Sequence, residues 1–268
     1  MIPLPLSIPV IQRVVLRTQN ASQLAAFYHN LLGLVPKPNP SNPHLTSLSH
    51  PLSGAELLTL IEDPGACPSP PPAPGLFHTA FLFPDVEDWC AAVKRAVNLA
   101  NGAYGASDHG VSWAAYLADP DGNGIELAWD KPAQEWPWHG DHIRMVTRPL
   151  PLRSILLDQT SRSRTSGSFY IGHLHLQVTN LNLAETYQNR LGMHITQSDY
   201  PGALFLAQDG YHHHFALNTW RTKPQVQRPV NAAGLVGWEM AGAAKTHEVW
   251  IDPNGFEVIG SLIQKDLP

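Results

Sequence analysis

In Ile11-Gln-Arg-Val-Val-Leu-Arg-Thr18 a β-branched and apolar centre, Val14-Val15-Leu16, is flanked by polar residues, and the stretch reads as a strand. From Ala21 to Leu32 the pattern changes. Leu24, Ala25, Phe27, Tyr28, Leu31 and Leu32 fall at helical spacing, and Gly33 supplies the stop. Residues 45–48 and 56–61 predict shorter strands, and one more strand fits between Gly33 and Leu45. The unit that results is β-α-β-β-β.

The pattern returns further along. Ile171-Gly-His173-Leu-His-Leu-Gln-Val178, a helical stretch at 183–191 and Gly192 repeat the strand, helix and stop. Phe27-Tyr28-His-Asn-Leu-Leu-Gly33 matches Thr186-Tyr187-Gln-Asn-Arg-Leu-Gly192. Asp119-Pro-Asp-Gly122 recurs as Asp252-Pro-Asn-Gly255, and Gly75-Leu76 as Gly234-Leu235. Four modules follow, at about 9–62, 75–130, 168–220 and 233–262. Only 18 residues separate Gly-Leu from Asp-Pro in the fourth, against 44 in the second, so the fourth is expected to lack the helix. Residues 64–74 are rich in Pro, Ala and Gly and read as a linker. Residues 131–167 are polar with scattered Trp and Pro, and 160–168 are rich in Ser, Thr and Arg. The expected division is 9–130 with modules one and two, a linker over 131–167, and 168–265 with modules three and four.

Candidate chemistry concentrates in the second module. It carries His78 in an apolar run, Asp108-His109-Gly-Val-Ser112, Tyr116, and Asp119-Pro-Asp-Gly-Asn-Gly-Ile-Glu126. Glu126 lies inside an apolar strand candidate at 125–129, where an unpaired buried carboxylate is costly. The chain has 14 histidines, clustered at His173 with His175 and at His212 to His214. Taken singly, each residue has an ordinary reading: His78 as a core histidine, Glu126 as an exposed strand residue, Tyr116 as a core aromatic, His109 and Ser112 as loop caps. Strand alternation sends His212 and His214 to one face and His213 to the other, and puts His175 on the face of His173.

Composition narrows the classes. A formal net charge of −5 gives no electrostatic footprint for nucleic acid. No apolar run reaches the roughly 18 residues of a membrane span, and Met1-Ile-Pro-Leu-Pro lacks a basic leader region, so a cytoplasmic protein is expected. Cys67 and Cys90 are isolated, which argues against a disulfide framework or a structural zinc site.

The ordered set of motifs resembles the vicinal-oxygen-chelate superfamily. Within it, the set is most similar to extradiol ring-cleavage dioxygenases of the catechol 2,3-dioxygenase type. That resemblance implies an α+β fold of four βαβββ-type modules forming two cup-shaped mixed sheets. It implies ferrous iron, or manganese, held by His78, His173 and Glu126, with His213 as acid/base and His109 and Tyr116 beside the metal. His109 and Tyr116 stand 17 and 10 residues before Glu126, close to the family's spacing. The implied substrates are a small aromatic diol and O2, and the product is a 2-hydroxymuconate-semialdehyde type compound, as in aromatic hydrocarbon catabolism. Exposed edges of such sheets often pair, so a homo-oligomer is one expectation.

This chain departs from the family in where the histidines stand. Most such enzymes place the site between modules three and four. Here Gly237 stands at the position of His78 and Arg13 at that of His173. Counting from Asp252 sets Ile259 against Glu126, whereas a turn two residues shorter sets Glu257 there. The full ligand set therefore requires module two to face module three, leaving one and four to form a metal-free cup. His175 remains an alternative ligand to His173. Trp113, Phe81, Trp129, Phe205 and Trp220 are candidates for the pocket wall. Two other readings stay open: a glyoxalase-like isomerase or lyase using zinc or nickel, and a metal-free protein that binds an aromatic ligand.

Overall fold

The computed structural model describes residues 11–68, 72–100, 105–158, 167–241 and 248–261. Residues 160–166 of the Ser/Thr/Arg-rich stretch and 69–71 of the Pro-rich linker lie outside the described residues. Module one contains β1 (Ile11–Thr18), α1 (Ala21–Leu32), β2 (Val35–Pro38), β3 (Leu45–Ser49) and β4 (Glu56–Glu62). Module two contains β5 (Gly75–Leu82), α2 (Val86–Leu99), β6 (Gly105–Asp108), β7 (Ser112–Ala118) and β8 (Gly124–Asp130). The stretch after it forms β9 (Trp138–His139), β10 (His142–Ile143), β11 (Arg148–Pro149) and α3 (Leu152–Asp158). Module three follows with β12 (Tyr170–Gln177), α4 (Ala184–Leu191), β13 (His194–Gln197), β14 (Ala203–Ala207) and β15 (Phe215–Asn218). Module four has β16 (Gly234–Ala241), β17 (Glu248–Ile251) and β18 (Glu257–Ser261), with no helix among its described residues.

Local chemistry sets the helix ends. The Asn20 side chain accepts a hydrogen bond from the Gln23 amide at 2.9 Å, which caps α1. Gly33 ends it in the left-handed region at φ 75, donating its N–H to the His29 carbonyl. In α2, Trp89, Ala92, Val93 and Ala96 form the buried face. Trp89 Nε1 donates to the Leu127 carbonyl at 2.8 Å and so ties that helix to β8.

Two sheets result. One has the order β11-β6-β7-β8-β5-β12-β15-β14-β13, and the other β17-β18-β16-β1-β4-β3-β2. The first joins modules two and three through the antiparallel β5–β12 pair, and the second joins four and one through β16–β1. Both chain segments thus contribute strands to both sheets. A continuous core lies beneath them, with Tyr28, Phe81, Trp89, Tyr187 and Trp238 fully buried.

The registers decide which residues correspond between the sheets. His173 pairs with Ala80 and His175 with His78, while Arg13 pairs with Glu239 and Val15 with Gly237. Ala80 lies beside Glu126 in the parallel pair β5–β8, and Glu239 lies beside Ile259 in β16–β18. Ile259, rather than Glu257, therefore occupies the position of Glu126. Among the described residues, no helix is long and apolar enough to cross a membrane.

Candidate functional site

Glu126 reaches the site because the turn before it is tightly built. Asp119 accepts hydrogen bonds from the Asn123 amide (2.9 Å), Asn123 Nδ2 (2.8 Å) and the Asp121 amide (3.0 Å). Gly122 takes φ 84, where a side chain would be strained. A Cβ on Gly124 would lie 1.9 Å from the Phe77 carbonyl oxygen, so only glycine lets β8 start this close to β5. That contact sets Glu126 beside Ala80 and brings its carboxylate under His78.

Three side chains then converge. His78 Nε2 is 2.8 Å and His173 Nε2 3.3 Å from Glu126 Oε2. One ligand atom from each lies within 4.8 Å of the others, and the residues are 5%, 3% and 3% exposed. Burial pushes the Glu126 carboxyl up, but the neighbouring His173 and His78 more than offset this and hold it well below the usual range. Burial lowers His78, with Glu126 offsetting part of that shift. Its Nε2 is buried and makes no hydrogen bond, despite the short contact with Glu126. Two imidazole nitrogens and a carboxylate oxygen that converge in a buried site, one of them without a hydrogen bond, are a donor set that fits a metal ion.

The remaining predicted residues stand around this centre. Tyr116 faces Glu126 across the β7–β8 pair. Its hydroxyl lies 2.5 Å from His109 Nε2, while His109 Nδ1 lies 2.8 Å from the Val146 carbonyl. The carbonyl can only accept, so Nδ1 carries the proton and the Tyr116 hydroxyl donates to Nε2. Burial, and then the charge of Glu126, push the Tyr116 phenol well above its ordinary value. The His213 ring lies tilted against that of His173, with centroids 4.1 Å apart. His175 is buried in the same wall, its Nε2 unbonded and its ring 4.9 Å from His78; the cluster of ligand atoms nevertheless contains His173.

A cavity of about 780 Å³ opens over these groups. Of the expected aromatics, Phe205 and Trp220 line it, joined by Phe77 and Tyr200. Phe81 instead belongs to the buried core, and Trp113 and Trp129 pack on each other with Trp113 against Trp89. Met145, Val146 and Thr147, from the stretch between modules two and three, form part of the wall. Gln197 holds Met145 in place through both its amide nitrogen and its carbonyl.

No motif in the chain pointed to a role for His212, Asp130 or Tyr211. His212 Nδ1 is 2.6 Å from His213 Nδ1, its Nε2 is 3.1 Å from Asp130 Oδ1, and the Tyr211 hydroxyl donates to Asp130 Oδ2 at 2.8 Å. Strand alternation does not apply at 212–214, because β15 begins only at Phe215 and all three histidines are buried. One signal was present: Asp130 lies an even number of residues from Glu126 on one strand, hence on the same face.

The second sheet carries a different arrangement at the equivalent positions. Arg13 contacts Glu56 at 2.9 Å and Glu239 at 2.8 Å. Leu58 pairs with Val14 as Phe215 pairs with Leu174, so Glu56 corresponds to His213. A guanidinium and two carboxylates thus occupy the second cup. A Cβ on Gly237 would lie 2.1 Å from the Glu257 carbonyl oxygen, which closes that position to a histidine.

The chain is similar to known proteins in sequence and in fold. Residues 13–128 match the family described as Glyoxalase-like domain. The chain is 38% identical over 187 residues to a protein of Bacillus subtilis (strain 168) named catechol-2,3-dioxygenase. That alignment covers 67% of this chain and 65% of the relative, slightly under two thirds of its length. Among solved structures, a putative dioxygenase from Bacillus subtilis superposes with a TM-score of 0.61 at 13% identity, covering 95% of this chain and 86% of that one. Glyoxalase I from Zea mays superposes at 0.52 with 16% identity, covering 94% and 91%. At these identities the two structures show a shared fold.

Proposed function

We propose that this chain is an extradiol dioxygenase of the glyoxalase-like, vicinal-oxygen-chelate superfamily. It cleaves catechol or a substituted catechol beside the diol, and both atoms of dioxygen enter a semialdehyde product. The observation that carries this reading is the convergence of His78, His173 and Glu126 beside the Tyr116–His109 pair and His213. His78, His173 and Glu126 would hold Fe(II), with Mn(II) as the alternative. When bound, the metal lowers the pKa of the diol and couples the diol to dioxygen electronically.

The chain's own residues then bind, orient and move protons. Phe77, Tyr200, Phe205 and Trp220 give the ring apolar walls that exclude water. The cavity is in the size range of a drug-sized ligand, so a diol with a bulky substituent fits. His213 takes the proton of one hydroxyl at its free ring nitrogen and later returns it. Tyr116 keeps its own proton, which it donates to His109 Nε2, and its hydroxyl oxygen, held in place by that bond, accepts from a substrate hydroxyl in the cavity.

An isomerase or lyase of the glyoxalase kind would need the ligand set but not the Tyr116–His109 pair, and that pair favours the oxygenase. The test is oxygen uptake by the Fe(II)-loaded protein. Consumption of about one dioxygen per catechol with a yellow product supports the reading. Anaerobic turnover of a glyoxal–thiol adduct, with no activity on catechols in air, transfers the assignment to the isomerase.

A further inference from the structure

We infer that Asp130 and His212 are positioning residues that fix the tautomer of His213, so that Nε2 of His213 presents a lone pair to the cavity. The catalytic use of that lone pair rests on the dioxygenase reading, but the tautomer itself does not.

The assignment follows from counting donors along one chain of contacts. Asp130 Oδ2 accepts from the Tyr211 hydroxyl, and Oδ1 faces His212 Nε2 at 3.1 Å. A carboxylate has no proton to give, so His212 Nε2 carries one. A neutral His212 ring is then an acceptor at Nδ1. His213 Nδ1 lies 2.6 Å from that atom, and two nitrogens so close need one proton between them. His213 therefore donates from Nδ1, and its other nitrogen is left without a proton. His213 is one of the residues lining the cavity.

The surroundings hold this order. His212 is 1% exposed, and its ring is 6.5 Å from that of His173. A second proton on the His212 ring would leave both of its nitrogens donors and would oppose a divalent ion at the ligand set, with Asp130, already shared with the Tyr211 hydroxyl, as its counter-charge. Trp136 packs edge-on against the His212 ring at 4.8 Å and Tyr211 covers it at 4.0 Å, so the ring has little room to turn. When His213 Nε2 takes a hydroxyl proton, its Nδ1–H stays donated to His212, and the His212 N–H stays donated to Asp130. The new positive charge is stabilised along the chain, and the proton leaves again from Nε2. The hydrogen bond made by one ring nitrogen decides what the other can do.

Nitrogen-15 NMR of histidine-labelled, zinc-loaded protein reads the tautomer without turnover. The expected wild-type result is a protonated Nδ1 and an unprotonated Nε2 at His213. In Asp130→Asn the Tyr211 hydroxyl directs the amide oxygen toward itself, leaving the amide NH2 to face His212. This reverses the chain and moves the His213 proton to Nε2. With iron, the same variant should lose kcat on the order of 10²–10⁴-fold, with KM for catechol and metal content little changed. A proton on Nε2 in the wild type overturns the inference, as does an unchanged tautomer in Asp130→Asn. Loss of metal in step with activity in that variant also overturns it, since that marks a merely structural role. If the wild type cleaves no diol, the dioxygenase reading falls and the spectrum still decides the tautomer.

Discussion

Tyr28, on the helix of module one, donates its hydroxyl to Asp119 Oδ2 in the turn of module two at 3.1 Å, with both side chains buried. Tyr187 and Asp252 repeat the bond between modules three and four at 2.6 Å. Each helix thus locks the turn that launches the last strand of the following module. For the Tyr28 pair, that strand is β8, which carries Glu126. Tyr28→Phe should lower stability by about 1 kcal/mol, the usual net worth of such a bond. Denaturant unfolding measures this; an unchanged midpoint would show that the lock carries no load.

Asp119 makes the same turn sensitive to pH. Burial pushes its carboxyl up to about 6, against donors from Asn123 and Tyr28 that pull it down. The folded state then binds this proton more tightly than the unfolded chain. The contribution is fully present below about 4 and is lost as pH rises to about 6. Carbon-13 titration of Asp119 should show a midpoint near 6, and a midpoint under 4 would contradict it.

Metal content should separate the ligands from the residues around them. His78→Ala, His173→Ala and Glu126→Ala should bind iron far more weakly than His213→Ala or Tyr116→Phe, in which affinity falls by at most ~10–100-fold. Metal analysis after dialysis reads the difference. A His213→Ala protein as empty as His173→Ala would make His213 a ligand.

Arg13 should matter for stability and not for metal. Arg13→Met leaves Glu56 and Glu239 facing each other, half-buried and without their shared partner, and should cost about 1–3 kcal/mol. Iron content should stay at the wild-type level. A matching loss of iron would mean that the two cups are coupled.

The sequence by itself determined the local structure. The apolar pattern of β1 and α1, the Gly33 stop and the repeated Asp-Pro turns are short-range features, and the chain writes them directly. The distribution of histidines also implied which modules face each other, because an ion needs both imidazoles at once. What only the tertiary structure decided depends on register and on irregular backbone. Ile259 rather than Glu257 matches Glu126 because hydrogen bonds between β16 and β18 fix the offset, which counting along one chain leaves open by two residues. Phe81, Trp113 and Trp129 looked like pocket aromatics, but the side of the sheet they occupy follows from what packs there. His212 lies in a bend before β15, where no period constrains direction, so its contact with His213 and Asp130 arises only when distant segments fold together.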